Sequence, residues 1–166
     1  MKMLKFLKTS VDRLLLITAL TMLLAMVITI IVQVFSRQVF SYTPSWSEEI
    51  SKILFVWVSF LGIAYGFKAR LHIALGLLVN KMPKKVQHVF DYLAKALIVA
   101  FGLIMIYYGW QFTTLMGNSN MPGTGWPSSV LYAAIPISGV FVTFYGLELF
   151  FQKGLHTEFD DISEVQ

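Results

Sequence analysis

The feature that most restricts the fold is an uncharged apolar run of 23 residues, from residue 14 to residue 36. About 20 apolar residues in a helix cross the hydrocarbon core of a bilayer, whereas the apolar core of a secretory signal is shorter. The chain as a whole is 57% hydrophobic and 13% charged, which leaves too little polar surface for a soluble domain. The run therefore predicts a retained first span of an integral membrane protein.

Three further apolar segments predict an all-α fold with four transmembrane helices in one membrane domain, residues 1–166. The uncharged part of the second segment, Ile53 to Phe67, is too short to cross a bilayer. Its helix must begin near Pro44 or Ser45, because proline suits a first helical turn. In the third segment, aromatic residues predict an interfacial belt. In the fourth, Pro136 predicts a kinked or loosened helix. The predicted spans are residues 14–36, 45–67, 96–116 and 128–151, followed by a flexible acidic tail, residues 152–166.

The distribution of basic residues predicts the orientation in the membrane. Eleven of the 13 Lys and Arg residues lie in the amino-terminal head, the connection between the second and third spans, and the tail. Positive charge marks the cytoplasmic side, so both termini should be cytoplasmic. Within the basic connection, the spacing of Leu71, Ala74, Leu75 and Leu78 predicts a short interfacial helix, with His72 at the membrane surface.

A polar cluster lies where the first span leaves the membrane and the second enters it. Charges so close to a span must sit at the interface or find partners in protein. They either pair internally, Arg37 with Glu48 or Glu49, or contact a partner protein, with Trp46 as an apolar anchor. Near the other membrane surface, Glu148 should pair with Lys68, Lys95 or Lys153. The cluster comprises Arg37, Trp46, Glu48, Glu49 and Lys52.

Glycines at regular helical spacings predict where helices approach one another closely. Small residues four or seven apart on one helix let a neighbouring backbone pack tightly in a membrane. Four spans can use only some of these seams internally, so at least one should remain for a partner chain. The predicted packing seam comprises Gly62, Gly66, Gly102, Gly109, Gly139 and Gly146.

The sequence predicts no catalytic, cofactor-binding or metal-binding residue. It contains no cysteine, and we find no metalloprotease, phosphate-loop or nucleophile-elbow motif. No Asp, Glu, Lys, Arg or His lies in the middle of a span, where a pump acting alone would need an ionisable or coordinating group. The basic residues border apolar runs, which favours anionic lipids over nucleic acid as their partner. These features indicate a helical scaffold whose chemistry belongs to another chain.

The sequence resembles the small, DctQ-like membrane subunits of tripartite ATP-independent periplasmic (TRAP) transporters. The resemblance rests on the order of SRQVF, WSEE, FLGIAYGFKARLHI, a basic link ending in proline, and GWPSSVLYAAIPISG. It implies a bacterial inner-membrane protein with two partners, a separate large elevator-type permease subunit and a periplasmic binding protein. It further implies sodium-driven import of an organic acid such as sialic acid or a C4-dicarboxylate. Arg37, Trp46, Glu48, Glu49 and His72 match the family's recurrent polar pattern.

Two other function classes remain open from the residues alone. An independent small four-helix transporter or channel would move its substrate without another chain. A membrane anchor for a redox or signalling complex would need neither a substrate site nor a binding protein. Copurification with a permease of many spans would favour the small subunit of a TRAP transporter. Uptake by this chain alone would favour an independent transporter.

Overall fold

The computed structural model describes residues 2–69 and 84–151. Within them it contains five α-helices, one short 3-10 turn and no strand. The predicted interfacial helix, His72 and the acidic tail lie outside the described residues. The helices are α1 (Lys2–Phe40), α2 (Ser45–Ala69), α3 (Lys84–Leu115), α4 (Ser129–Tyr132) and α5 (Ala134–Phe151), with the 3-10 turn at Met116–Asn118.

Among the described residues, four segments are long and apolar enough to cross a membrane, which confirms the predicted all-α, four-span architecture. The fourth segment contains both α4 and α5. At about 1.5 Å per residue, the 39 residues of α1 extend about 58 Å, nearly twice the thickness of a hydrocarbon core. The candidate spans are Ser10–Phe40, Ser45–Phe67, Tyr92–Asn118 and Ser129–Phe150.

The turn between α1 and α2 is set by local residue chemistry. The backbone of Ser41 is left-handed, with a φ of 52°, a conformation that commonly ends helices. Pro44 precedes α2, and its carbonyl accepts the Ser47 backbone N–H at 3.0 Å and the Ser47 hydroxyl at 2.6 Å. Since Ser47 is fully buried, these bonds satisfy polar groups that would otherwise be costly. The second helix therefore begins at Ser45 with its first turn fixed.

The fourth span is interrupted at Ala133, three residues before Pro136, which confirms the predicted irregularity. Proline has no N–H to donate to the carbonyl four residues earlier, so the helix loosens there. A second helix also contacts the segment just before the interruption, because the Trp57 indole N–H donates to the Val130 carbonyl at 3.0 Å. Trp57 lies on α2, so this bond fixes α4 against the second span.

The helices lie in the order α1, α2, α5, α3, with the tightest pair formed by α3 and α5. α5 belongs to the most buried span and α1 to the least buried. A core of Leu15, Leu61 and Tyr145 joins α1, α2 and α5. Most of the apolar surface of α1 is therefore exposed, and it remains available to lipid or to another protein.

Candidate functional site

Two connections between spans lie at one end of the helix assembly, which we call the loop end. One is the turn at residues 41–44. The other is the outer loop, residues 116–128, which contacts the first turns of α2. The sequence predicts that both connections share one membrane face, and the structure brings the outer loop against the helical turn of α2 that directly follows residues 41–44.

The outer loop is shaped by its own backbone hydrogen bonds. Ser128 donates its N–H to the Ser119 carbonyl at 2.7 Å, and Met121 donates to the Trp126 carbonyl at 2.8 Å. Gly125 donates to the Met121 carbonyl at 2.8 Å and has a φ of 73°, which glycine adopts without steric cost. The Met121 side chain is buried, with 8% of its surface exposed. The loop is thus a defined turn rather than an open connection.

Glu49 fastens this loop to α2. One carboxylate oxygen accepts the Gly123 backbone N–H at 2.7 Å. The other accepts the Thr124 backbone N–H at 2.6 Å and the Thr124 hydroxyl at 2.7 Å. Hydrogen bonds to an ionised group are stronger than neutral ones, and only 8% of the Glu49 surface is exposed. The carboxylate is therefore satisfied by the outer loop, 74 residues further along the chain.

Gly123 allows the loop to approach α2 this closely. A Cβ atom at this position would lie 2.7 Å from the carbonyl carbon and oxygen of Ser45, and 3.0 Å from the Glu49 carboxyl carbon. Real Cβ atoms do not approach backbone so closely, so any larger residue would push the loop away from the helix. The loop end therefore depends on a small residue in the loop and an acidic residue on the helix.

The other residues of the predicted polar cluster lie on the surface of the loop end. Arg37, Glu48 and Lys52 are exposed, and Trp46 has 43% of its surface exposed. Glu49 alone turns inward, and the contacts above bind it to the loop instead of to arginine. Beside it lies a cleft of about 510 Å³ between the first turns of α2, the outer loop and α4. The pairing or partner contact of the exposed charges stays a prediction.

The structure divides the six predicted seam glycines into two sets. At Gly102, Gly109, Gly139 and Gly146 an added Cβ would collide with the facing helix of the α3–α5 pair. At Gly62 and Gly66, on α2, an added Cβ would meet nothing within 4 Å. Four glycines thus lie in the contact between α3 and α5, and two lie on an open face of α2.

A second polar cluster lies at the opposite end, and its bond between Asp12 and Tyr145 was not anticipated from the sequence. The Tyr145 hydroxyl donates to the Asp12 carboxylate at 2.7 Å, joining α5 to α1. Both side chains are buried, and Lys95 is buried as well, with 4% of its surface exposed. Glu148 is half-buried and lies three residues after Tyr145 on α5. The pairing of Glu148 with Lys68, Lys95 or Lys153 stays a prediction, and the Lys68 and Lys153 side chains lie outside the described residues.

Some residues that the sequence analysis did not name as site residues nevertheless carry a partial signal in the sequence. Asp12 is an acid within a basic head, and such an isolated opposite charge beside a span requires a partner. Tyr145 lies in the fourth span, where a buried hydroxyl requires a hydrogen-bond partner. Gly123 and Thr124 lie in a segment read only as a turn. Their contacts with α2 depend on the path of the whole chain, so no pattern in the neighbouring sequence predicts them.

Comparison with known proteins identifies related chains. The family model described as "Tripartite ATP-independent periplasmic transporters, DctQ component" matches residues 26–154. A putative TRAP transporter small permease protein from Haemophilus influenzae is 29% identical over 141 residues, covering 85% of this chain and 88% of that protein.

Two further relatives are matched over a smaller share of their own length. The sialic acid TRAP transporter permease protein SiaT of Haemophilus influenzae is 28% identical over 75% of this chain and 20% of that protein. The C4-dicarboxylate TRAP transporter small permease protein DctQ of Rhodobacter capsulatus is 29% identical over 64% of this chain and 48% of that protein. The chain thus covers one fifth of the length of SiaT and about half of the length of DctQ.

Proposed function

The chain belongs to the family of DctQ components of tripartite ATP-independent periplasmic transporters, and we propose that it is the small permease subunit of one such transporter. The observation that carries this proposal is the family match across residues 26–154, which reaches from the first span to the end of the fourth. The subunit would work in a bacterial inner membrane beside a separate large permease subunit. Both termini would face the cytoplasm and the loop end the periplasm, in accordance with the lysine and arginine distribution.

The proposed cargo is an organic acid, imported with sodium. Relatives are named as transporters of sialic acid or C4-dicarboxylate, which supports this class of substrate. The acidic and basic residues of the candidate spans all lie within eight residues of a span end. A site for an anion and sodium inside the membrane needs polar or charged groups near its middle. We therefore place the substrate and sodium sites in the large subunit, and this chain provides a scaffold.

The face of α2 that carries Gly62 and Gly66 is the proposed contact with the large subunit. Phe55, Gly62 and Gly66 follow one helical stripe, and Phe55 has 60% of its surface exposed. Open glycines permit close backbone approach, which helix association in membranes requires because lipid is as apolar as the helices. The neighbouring apolar surface of α1 would extend this interface or contact lipid.

The loop end is the proposed contribution to docking of the soluble binding protein. Trp46 on α2 and Trp126 on the outer loop have 43% and 51% of their surfaces exposed. Tryptophan supplies much of the binding energy in protein interfaces. The exposed charges of Arg37 and Glu48 would steer the partner, as charged rims of interfaces commonly do.

Reconstitution tests the proposal. The chain, its cognate large subunit and the cognate binding protein are combined in liposomes under an inward sodium gradient. We expect uptake of sialic acid or a C4-dicarboxylate only when all three proteins and the gradient are present. Uptake by this chain alone would instead identify an independent transporter. A large subunit that works equally well without this chain would also contradict the proposal.

A further inference from the structure

Glu49 uses its charge to hold the outer loop against α2. All three hydrogen bonds to its carboxylate come from Gly123 and Thr124, at 2.6 to 2.7 Å. The loop closes on itself through bonds among residues 119–128, so its internal turn does not depend on Glu49. What Glu49 determines is where that turn lies relative to α2.

This placement sets the distance between two exposed tryptophans. Trp46 lies three residues before Glu49 on α2, and Trp126 lies two residues after Thr124 in the loop. Trp126 also receives a local contact, because its N–H donates to the Thr124 hydroxyl at 3.4 Å. The hydroxyl that binds Glu49 therefore connects directly to the backbone of Trp126. Movement of the loop away from α2 would carry Trp126 away from Trp46.

We infer that Glu49 is a positioning residue that holds the outer loop in the arrangement recognised by the soluble binding protein. The inference rests on the proposed function and deepens it, because it names the residue that orders the docking surface. Preformed surfaces bind more tightly than mobile ones, because ordering a loop during binding costs free energy.

The chemistry of the loop favours a protein over a lipid surface as its partner. Residues 116–128 contain no lysine or arginine, so the loop lacks the cations that attract anionic headgroups. Its exposed residues include polar uncharged Asn118 and Asn120 beside Trp126. Tryptophan beside uncharged hydrogen-bonding groups is typical of protein recognition surfaces.

The first measurement follows the loop itself. The chain has no cysteine, so Asn120→Cys introduces a single exposed thiol. We expect Glu49→Gln to speed its reaction with an impermeant reagent, because the glutamine amide keeps one acceptor oxygen but turns its NH2 donor towards the other loop N–H group. Glu48→Gln removes the same charge from the adjacent exposed carboxylate and should leave the labelling rate unchanged. Equal labelling in both variants would overturn the inference.

The second measurement follows binding-protein-dependent uptake in the reconstituted complex. We expect Glu49→Gln to raise the half-saturating concentration of the binding protein about tenfold, the effect of losing about one charge-assisted hydrogen bond. The maximal rate and the amount of copurified large subunit should not change. Thr124→Val should cause a smaller rise in the same quantity, and Thr124→Ser should restore it by returning the hydroxyl.

The remaining outcomes separate this inference from the proposed function. A lower yield of complex with an unchanged half-saturating concentration would show that Glu49 only supports assembly, and the inference would fail alone. If liposomes slow labelling at residue 120 and added binding protein does not, the loop contacts headgroups and the inference is wrong. If the parent complex needs no binding protein, the proposed function fails first.

Discussion

The two sets of glycines allow one substitution to be compared in opposite surroundings. Gly102→Ala and Gly62→Ala both add one methyl group inside a helix. Both therefore gain the same helix propensity, about 1 kcal/mol in favour of alanine. The difference between the two variants isolates the effect of packing.

At Gly102 the added methyl group meets the facing helix. It would collide with the Thr143 hydroxyl and lie 2.8 Å from the Thr143 backbone nitrogen. The hydroxyl can rotate only by giving up its 2.8 Å bond to the Gly139 carbonyl. The backbone must also move about 0.6 Å to restore an ordinary contact of 3.4 Å. Overpacking of this kind costs about 1 to 3 kcal/mol.

The assay is thermal unfolding of the purified subunit in detergent. Gly62→Ala should unfold at or above the parent temperature, and Gly102→Ala about 5 °C below Gly62→Ala. In the complex, a larger side chain should have a different consequence at each position. Gly62→Leu should keep the subunit folded but lose the large subunit, whereas Gly102→Leu should destabilise the subunit itself.

Two results would refute this reasoning. Equal unfolding temperatures for the two alanine variants would mean that α3 and α5 are not packed at Gly102 as described. A Gly62→Leu subunit that retains the large subunit and full uptake would remove the open α2 face from the proposed interface. The family membership would be untouched by either result.

Three further predictions concern single contacts and the orientation. Trp57→Phe should lower the free energy of unfolding by about 1 kcal/mol through loss of the bond to α4, whereas exposed Trp110→Phe should not, as measured by denaturant titration. Tyr145→Phe should detach α1 from α5 and increase proteolysis at the amino-terminal helix, with exposed Tyr107→Phe as the control; equal proteolysis would count against the bridge. Asn120→Cys should react with an impermeant thiol reagent in intact spheroplasts, and protection there combined with labelling at the carboxyl terminus would reverse the orientation.

The membrane class and the four spans follow from the sequence because hydropathy is summed over neighbouring residues. An uncharged run of 23 residues has few alternatives to a bilayer helix, whatever the rest of the chain does. The start of α2 after Pro44 and the irregularity before Pro136 are equally local, because the missing proline N–H acts within one helical turn. These features could be predicted without knowledge of any contact between helices.

Tertiary structure alone decided which side chains meet. Glu49 and Gly123 are 74 residues apart, and Asp12 and Tyr145 are 133 apart, so no local spacing relates them. Gly62 and Gly102 likewise stand in similar apolar helical surroundings, yet a facing helix covers only the second. A small residue permits close approach but does not specify a neighbour, since the neighbour is chosen by the path of the whole chain. The sequence therefore determined the spans, and the packing of those spans determined which glycines and charges remain available to a partner.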